Sequence, residues 1–147
     1  MTRRILVLNG PNLNLLGTRE PEIYGSDTLA DVEELCAGAA QEHGVGVECR
    51  QSNHEGELVD WLQEAGRDED IIGVVLNAGA YTHTSIALLD AVRGTGIPMV
   101  EVHVSNPAAR ERFRHTSYLS SVAEASIAGA GIRGYAYAVD HLARRHG

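Results

Sequence analysis

The sequence predicts a doubly wound α/β domain, a five-stranded parallel sheet with helices on both faces. Three observations carry this. Apolar runs of strand length alternate with helical stripes from end to end of the chain. The run at residues 71–77 is continuously apolar up to its final asparagine, as a strand buried on both faces should be. The runs also end in amide, imidazole or hydroxyl residues, so polar groups gather along one rim. Five such strands fit the flavodoxin-like order 2-1-3-4-5, with right-handed crossovers. Ligands in such sheets sit beyond the carboxyl ends of the strands, at the switch point between strands 1 and 3.

The elements follow in order. Residues 4–9 read as a buried strand, followed by a loop too long for a simple connection. Gly17, Pro21 and Gly25 punctuate that loop, and it carries Arg19 and Tyr24. Residues 28–42 read as a helix, with Thr28 and Asp31 as a capping box and Leu29, Val32, Cys36 and Ala39 on one face. Residues 45–51 alternate as a strand. Ser52 and Glu55 form a second capping-box signature, leading into the stripe Leu58, Trp61, Leu62 and Ala65. After the third strand, residues 82–93 read as a helix closed by Gly94 and Gly96. A strand at 98–104, a short helix at 108–114 and a weak small-residue strand at 125–130 come next. Ile132, Tyr135, Val139 and Leu142 stripe the last helix. No repeat, linker or low-complexity tract divides residues 1–147, so a single domain is expected.

Composition excludes several classes of function. The net charge of −8 argues against nucleic acid or an acidic membrane as the main partner, and no apolar run is long enough to span a bilayer. The apolar stretch near the N-terminus is too short for a secretory signal. Cys36 and Cys49 could pair, but without CxxC spacing they fit buried thiols in a reducing cytosol, so a cytoplasmic protein is expected. All twelve basic residues are arginine. Without lysine, neither Schiff-base catalysis nor a Walker-type phosphate loop can operate.

The polar residues at the strand ends form the candidate site. Strand 1 delivers Asn9 and Asn12, strand 3 delivers Asn77 and Gly79, and strand 4 delivers Glu101, His103, Val104, Ser105 and Asn106. Gly79 would let backbone approach a ligand closely. His83 and Thr84, placed at the start of the following helix, would offer N–H groups to an anion. Arg110, Arg112 and Arg114 follow strand 4. Each feature has a plainer reading when taken alone. Asn9-Gly10-Pro11 is also a turn, His103 a hydrogen-bonded structural histidine, Tyr24 a packing residue, and the arginines a solvated face. His54, His83, His103 and His115 show no HxH or HExxH spacing, so no metal is expected. Convergence of these groups on one rim favours a site for a small molecule. A non-catalytic small-molecule or nucleotide-binding domain would use the same rim, but would not need Arg19 and Tyr24 on one loop. A phosphoacceptor would need an acidic pocket and a lysine.

Four motifs in register make the reading specific. Residues 9–17 with Arg19 and Tyr24, then Gln51-Ser-Asn-His-Glu-Gly56, Asn77-Ala-Gly-Ala-Tyr-Thr-His-Thr-Ser85 and Glu101-Val-His-Val-Ser-Asn106, resemble type II 3-dehydroquinate dehydratase. Ala78, Pro107-Ala108 and Ser121 depart from that pattern, all outside its catalytic positions. The resemblance implies dehydration of 3-dehydroquinate to 3-dehydroshikimate through an enolate, a step toward chorismate and the aromatic amino acids. It implies Tyr24 as base, Arg19 as the lid cation favouring its phenolate, and His103 as general acid oriented by Glu101 or Asn9. Asn12 would hold a water or the enolate oxygen. Asn77, His83, the Val104 and Ser105 backbone, and Arg114 would bind the substrate carboxylate and hydroxyls. Asp90 would reach the site from a neighbouring subunit of a dodecamer built from four trimers. No cofactor is implied.

Overall fold

Five parallel strands lie side by side in one sheet. The computed structural model describes residues 2–18 and 20–147, the side chains of Pro21 and Tyr24 excepted. The strands are β1 (Arg4–Asn9), β2 (Gly46–Gln51), β3 (Ile71–Asn77), β4 (Met99–His103) and β5 (Ala125–Ala128). All pairings are parallel, in the order β2-β1-β3-β4-β5. The helices are α1 (Pro21–Tyr24), α2 (Leu29–Gln41), α3 (Glu55–Arg67), α4 (Ile86–Thr95) and α5 (Arg133–His146). The expected order of strands is the observed one.

The period-2 alternation of the strands builds two cores, one on each face of the sheet. Ile5 and Val7 of β1 join Val75, Val100 and Val102 beneath α2 and α5. Leu6 and Leu8 face the other way, with Val74, Leu76 and Met99 beneath α3 and α4. Glu101 shares that second face by alternation, so a carboxylate enters a layer otherwise built of apolar side chains. Among the described residues, no helix is long and apolar enough to cross a membrane.

Local chemistry sets the helix boundaries. The α2 capping box forms as expected, with the Asp31 N–H donating to Thr28 Oγ1 at 3.3 Å and the Thr28 N–H to Asp31 Oδ2 at 2.9 Å. The buried inward face is Val32, Cys36 and Ala40, with Ala39 only partly covered. The Ser52 capping box does not form. Its buried hydroxyl instead accepts the His54 N–H at 2.9 Å, and α3 starts at Glu55 with no side-chain cap.

The expected helix at 82–93 starts later. Gly79–His83 is a 3₁₀ turn, and Ser85 caps α4 by accepting the Leu88 N–H at 2.9 Å. The helix ends at Gly96, whose φ of +67° suits glycine. The expected helix at 108–114 is two 3₁₀ turns, Pro107–Ala109 and Arg112–Arg114, separated by extended backbone at Arg110. So short a segment offers too few hydrogen bonds to nucleate an α-helix.

Candidate active site

β1 and β3 run in register to their ends, Asn9 opposite Asn77, and the chain leaves both strands on the same side. Two glycines let the two departing loops touch. A Cβ on Gly10 would lie 2.5 Å from the Ala78 carbonyl oxygen, and one on Gly79 would lie 3.1 Å from that of Pro11, with φ at +59°. The loop after β1 is tied down further. Gln51 Nε2 donates to the Gly10 carbonyl at 3.1 Å, and the Asn12 N–H donates to Asn53 Oδ1 at 2.9 Å. Asn12 itself is held at φ +69°, a left-handed conformation that asparagine tolerates better than most residues.

Below the rim, α5 supplies an unforeseen support. The Tyr135 hydroxyl donates to Asn9 Oδ1 at 2.6 Å and accepts from Asn77 Nδ2 at 2.8 Å. All three side chains are buried. Asn77 Oδ1 in turn accepts the Gly79 N–H at 3.1 Å. Burial pushes the Tyr135 phenol well above its ordinary range, so it stays neutral and can both donate and accept. Asn9 Oδ1 is thus taken by Tyr135, and of the two candidates for orienting His103 it is Glu101 whose bond to the ring is seen.

β4 carries the chemically strongest feature. Glu101 and His103 are two apart on one strand and so point to the same face. Glu101 Oε2 accepts from His103 Nε2 at 2.6 Å, Ser117 Oγ at 2.7 Å and Thr82 Oγ1 at 2.9 Å, while Oε1 accepts from Ser120 Oγ at 2.7 Å. Burial alone would raise this carboxyl. The His103 imidazole and the Ser120 and Ser117 hydroxyls outweigh it and hold the group at about 2. An ionised carboxylate only accepts, so the shared proton sits on Nε2 of His103, which leaves Nδ1 as the ring nitrogen able to meet a ligand.

His103 lines a cleft above the strand ends. Its wall also includes Asn12, Asn77, Gly79, His83, Val104, Ser105, Arg110 and Arg114. His83 Nδ1 is bonded to the Thr116 carbonyl at 2.8 Å, which fixes the ring by donation from that nitrogen. The backbone N–H groups of Thr84 and Ser85 are both spent on the Tyr81 carbonyl, so the anion-binding helix start expected at His83 and Thr84 is absent. Arg114 Nε donates to Glu111 at 3.0 Å. Arg110 Nη1 reaches Ser105 Oγ at 3.4 Å, while Arg112 is exposed and outside the cleft wall.

The family model described as dehydroquinase class II matches residues 3–143. The chain is 63% identical to a 3-dehydroquinate dehydratase of Acidovorax sp. (strain JS42), covering 98% of this chain and 99% of that protein. The chain belongs to the class II dehydroquinase family. It is also 61% identical to a 3-dehydroquinate dehydratase of Rhodopseudomonas palustris (strain TIE-1), over 100% of this chain and 97% of the relative. The crystal structure of a type II dehydroquinase from Propionibacterium acnes superposes with a TM-score of 0.91 at 44% identity, covering 98% of both chains.

Within this class II dehydroquinase, the expected site residues divide into three groups. Asn12, Asn77, Gly79, His83, His103, Val104, Ser105 and Arg114 come together around the cleft, with Glu101 directly behind His103. Asp90 is exposed on α4 and is not part of the cleft wall. Arg19 and the Tyr24 side chain lie outside the described residues. Sequence reasoning missed Thr82, Ser117 and Ser120, which complete the Glu101 cradle, and Tyr135, which it took for plain core. Among the described residues, no cluster of three or more His, Cys, Asp or Glu could hold a metal ion.

Proposed function

We infer that this chain dehydrates 3-dehydroquinate to 3-dehydroshikimate, in the shikimate pathway leading to chorismate and the aromatic amino acids. The observation that carries the reading is the Glu101–His103 pair at the rim of a polar cleft, in a chain that belongs to the class II dehydroquinase family. The substrate ketone at C3 acidifies the C2 proton. Its removal puts negative charge on the ketone oxygen, and expulsion of the C1 hydroxyl completes the elimination. A chain without lysine cannot form an iminium, so the charge must be stabilised as an enolate.

His103 serves as the general acid. With Nε2–H anchored on Glu101, the imidazolium offers its Nδ1 proton to the departing hydroxyl and returns to neutral imidazole without turning. Glu101 positions the ring and fixes which nitrogen faces the ligand. Tyr24 serves as the base and Arg19 as the cation that favours its phenolate, carried on the loop at residues 17–25. Asn12 holds a water or the enolate oxygen. Asn77, His83, Arg114 and the N–H groups of Val104 and Ser105 receive the substrate carboxylate and ring hydroxyls, and Gly79 leaves room for the ring. The route requires no cofactor. Asp90, exposed on α4, completes the site of a neighbouring subunit in a dodecamer of four trimers. The chain acts in the cytoplasm.

The test is direct. The product is a conjugated enone and the substrate is not, so purified protein mixed with 3-dehydroquinate should raise ultraviolet absorbance without coupling enzymes. Absence of that rise with folded protein would refute the assignment.

A further inference from the structure

One motif of the sequence, Gln51-Ser-Asn-His-Glu-Gly56, supplies no group to the cleft wall. Its first three residues instead grip the chain leaving β1 at three points. The Ser52 N–H donates to the Asn9 carbonyl at 3.0 Å, and Gln51 Nε2 to the Gly10 carbonyl at 3.1 Å. Asn53 Oδ1 accepts the Asn12 N–H at 2.9 Å and Gln51 Nε2 at 3.1 Å. From the other side, the Tyr81 hydroxyl donates to the Asn53 carbonyl at 2.8 Å. Tyr81 belongs to the same 3₁₀ turn as His83. We propose that Asn53, oriented by Gln51, is a positioning residue that holds Asn12 on the cleft wall. The inference rests on the dehydratase reading, in which Asn12 holds a water or the enolate oxygen.

The partners settle which atoms meet. A backbone N–H only donates and a carbonyl only accepts, so Asn12 must face Oδ1 of Asn53 and Gly10 must face Nε2 of Gln51. Asn12 needs such a hold. It sits at φ +69°, and a residue with a Cβ keeps that conformation only where its surroundings favour it. A return to negative φ would re-aim its Cβ, and with it the side chain, relative to the cleft. The side chain makes no cap bond to the 3₁₀ turn that follows, Leu13–Leu15. The grip therefore falls on the backbone and leaves the Asn12 amide for a ligand.

The hold matters most in the transition state. If Asn12 meets the oxygen on which charge gathers, misplacing it weakens the enolate more than the bound ketone. Losing Asn53 should then lower kcat and leave KM nearly unchanged. The Asn12–Asn53 bond lies at the surface, so the loss is that of one ordinary hydrogen bond, about three- to tenfold.

The experiment uses the assembled protein and measures exchange and turnover side by side. Amide hydrogen exchange is read by mass spectrometry on a peptide spanning residues 10–16. Exchange there should be about three- to tenfold faster in Asn53→Ala than in the parent, while Asn53→Asp, which keeps an acceptor, should match the parent. In steady-state kinetics with 3-dehydroquinate, Asn53→Ala should lose kcat by the same factor, with KM within about twofold. On an Asn12→Ala background, Asn53→Ala should add no further loss, which a merely structural role would not reproduce. Unchanged exchange or unchanged kcat in Asn53→Ala, or independent losses that multiply in the double variant, would each overturn the proposal. A parent without turnover would instead refute the dehydratase reading, and exchange would still decide whether Asn53 holds Asn12.

Discussion

Glu101 places an ionised carboxylate in an apolar layer, and the four groups bonded to it make that tolerable. This has a measurable pH signature. The folded carboxyl is depressed from 4.5 to about 2, so its stabilisation is complete above the unfolded value and is lost as pH falls through the folded one. Comparison with Glu101→Gln isolates it. The difference in unfolding free energy should be flat above pH 4.5 and should shrink by roughly 3 kcal/mol as pH falls toward 2, followed by denaturant titration at each pH. A difference independent of pH would show that the carboxylate is not held this way. If Tyr24 is the base, Tyr24→Phe should lower kcat by about 10²–10⁴ with substrate binding largely kept. Arg19→Ala should do comparable damage, and Arg19→Gln should not restore turnover, because a neutral side chain cannot favour a phenolate. Steady-state kinetics of the three variants decides this, and near-normal turnover in Tyr24→Phe would place the base elsewhere.

At the scale of elements, the rim depends on contacts between loops and on one helix beneath them. Gly10→Ala would drive a methyl group into the Ala78 carbonyl, where backbone must move, so a loss of roughly 1–3 kcal/mol is expected by chemical denaturation. Tyr135→Phe leaves Asn9 and Asn77 without their shared partner in a buried layer. It should cost about 1–3 kcal/mol and raise KM more than it lowers kcat, since Asn77 loses its footing while His103 keeps Glu101. An unchanged KM would make Tyr135 ordinary core. These elements also mark how much the sequence disclosed. Strand order, the α2 capping box and the convergence on the strand ends were legible, because each rests on local periodicity or spacing. The start of α4 was not, because Ser85 caps the helix while Thr82, the first residue of the expected helix, is drawn to Glu101 across the fold. Ser117 and Ser120 read as an ordinary polar loop for the same reason, and nothing in the period of α5 distinguishes Tyr135 from Leu142. Such roles arise from long-range partners, which no local pattern carries.

For the whole molecule, the lack of lysine constrains the chemistry, and Asp90 bears on assembly. If Asp90 completes a neighbour's site, light scattering should show an assembly far heavier than the 15.8 kDa chain, and a fully active monomer would contradict that role. Borohydride added with substrate should leave no reduced adduct on the chain, because no lysine can form the iminium. The cleft, the Glu101–His103 pair and the family membership converge on one reaction, and a single measurement tests it most directly. Purified protein and its His103→Ala variant are mixed with 3-dehydroquinate, and enone absorbance is followed without coupling enzymes. The parent should show a steady rise, and the variant a rate lower by about 10²–10⁴. No rise with the parent, or an equal rise with the variant, would contradict the assignment of His103 as the acid of a dehydroquinate dehydratase.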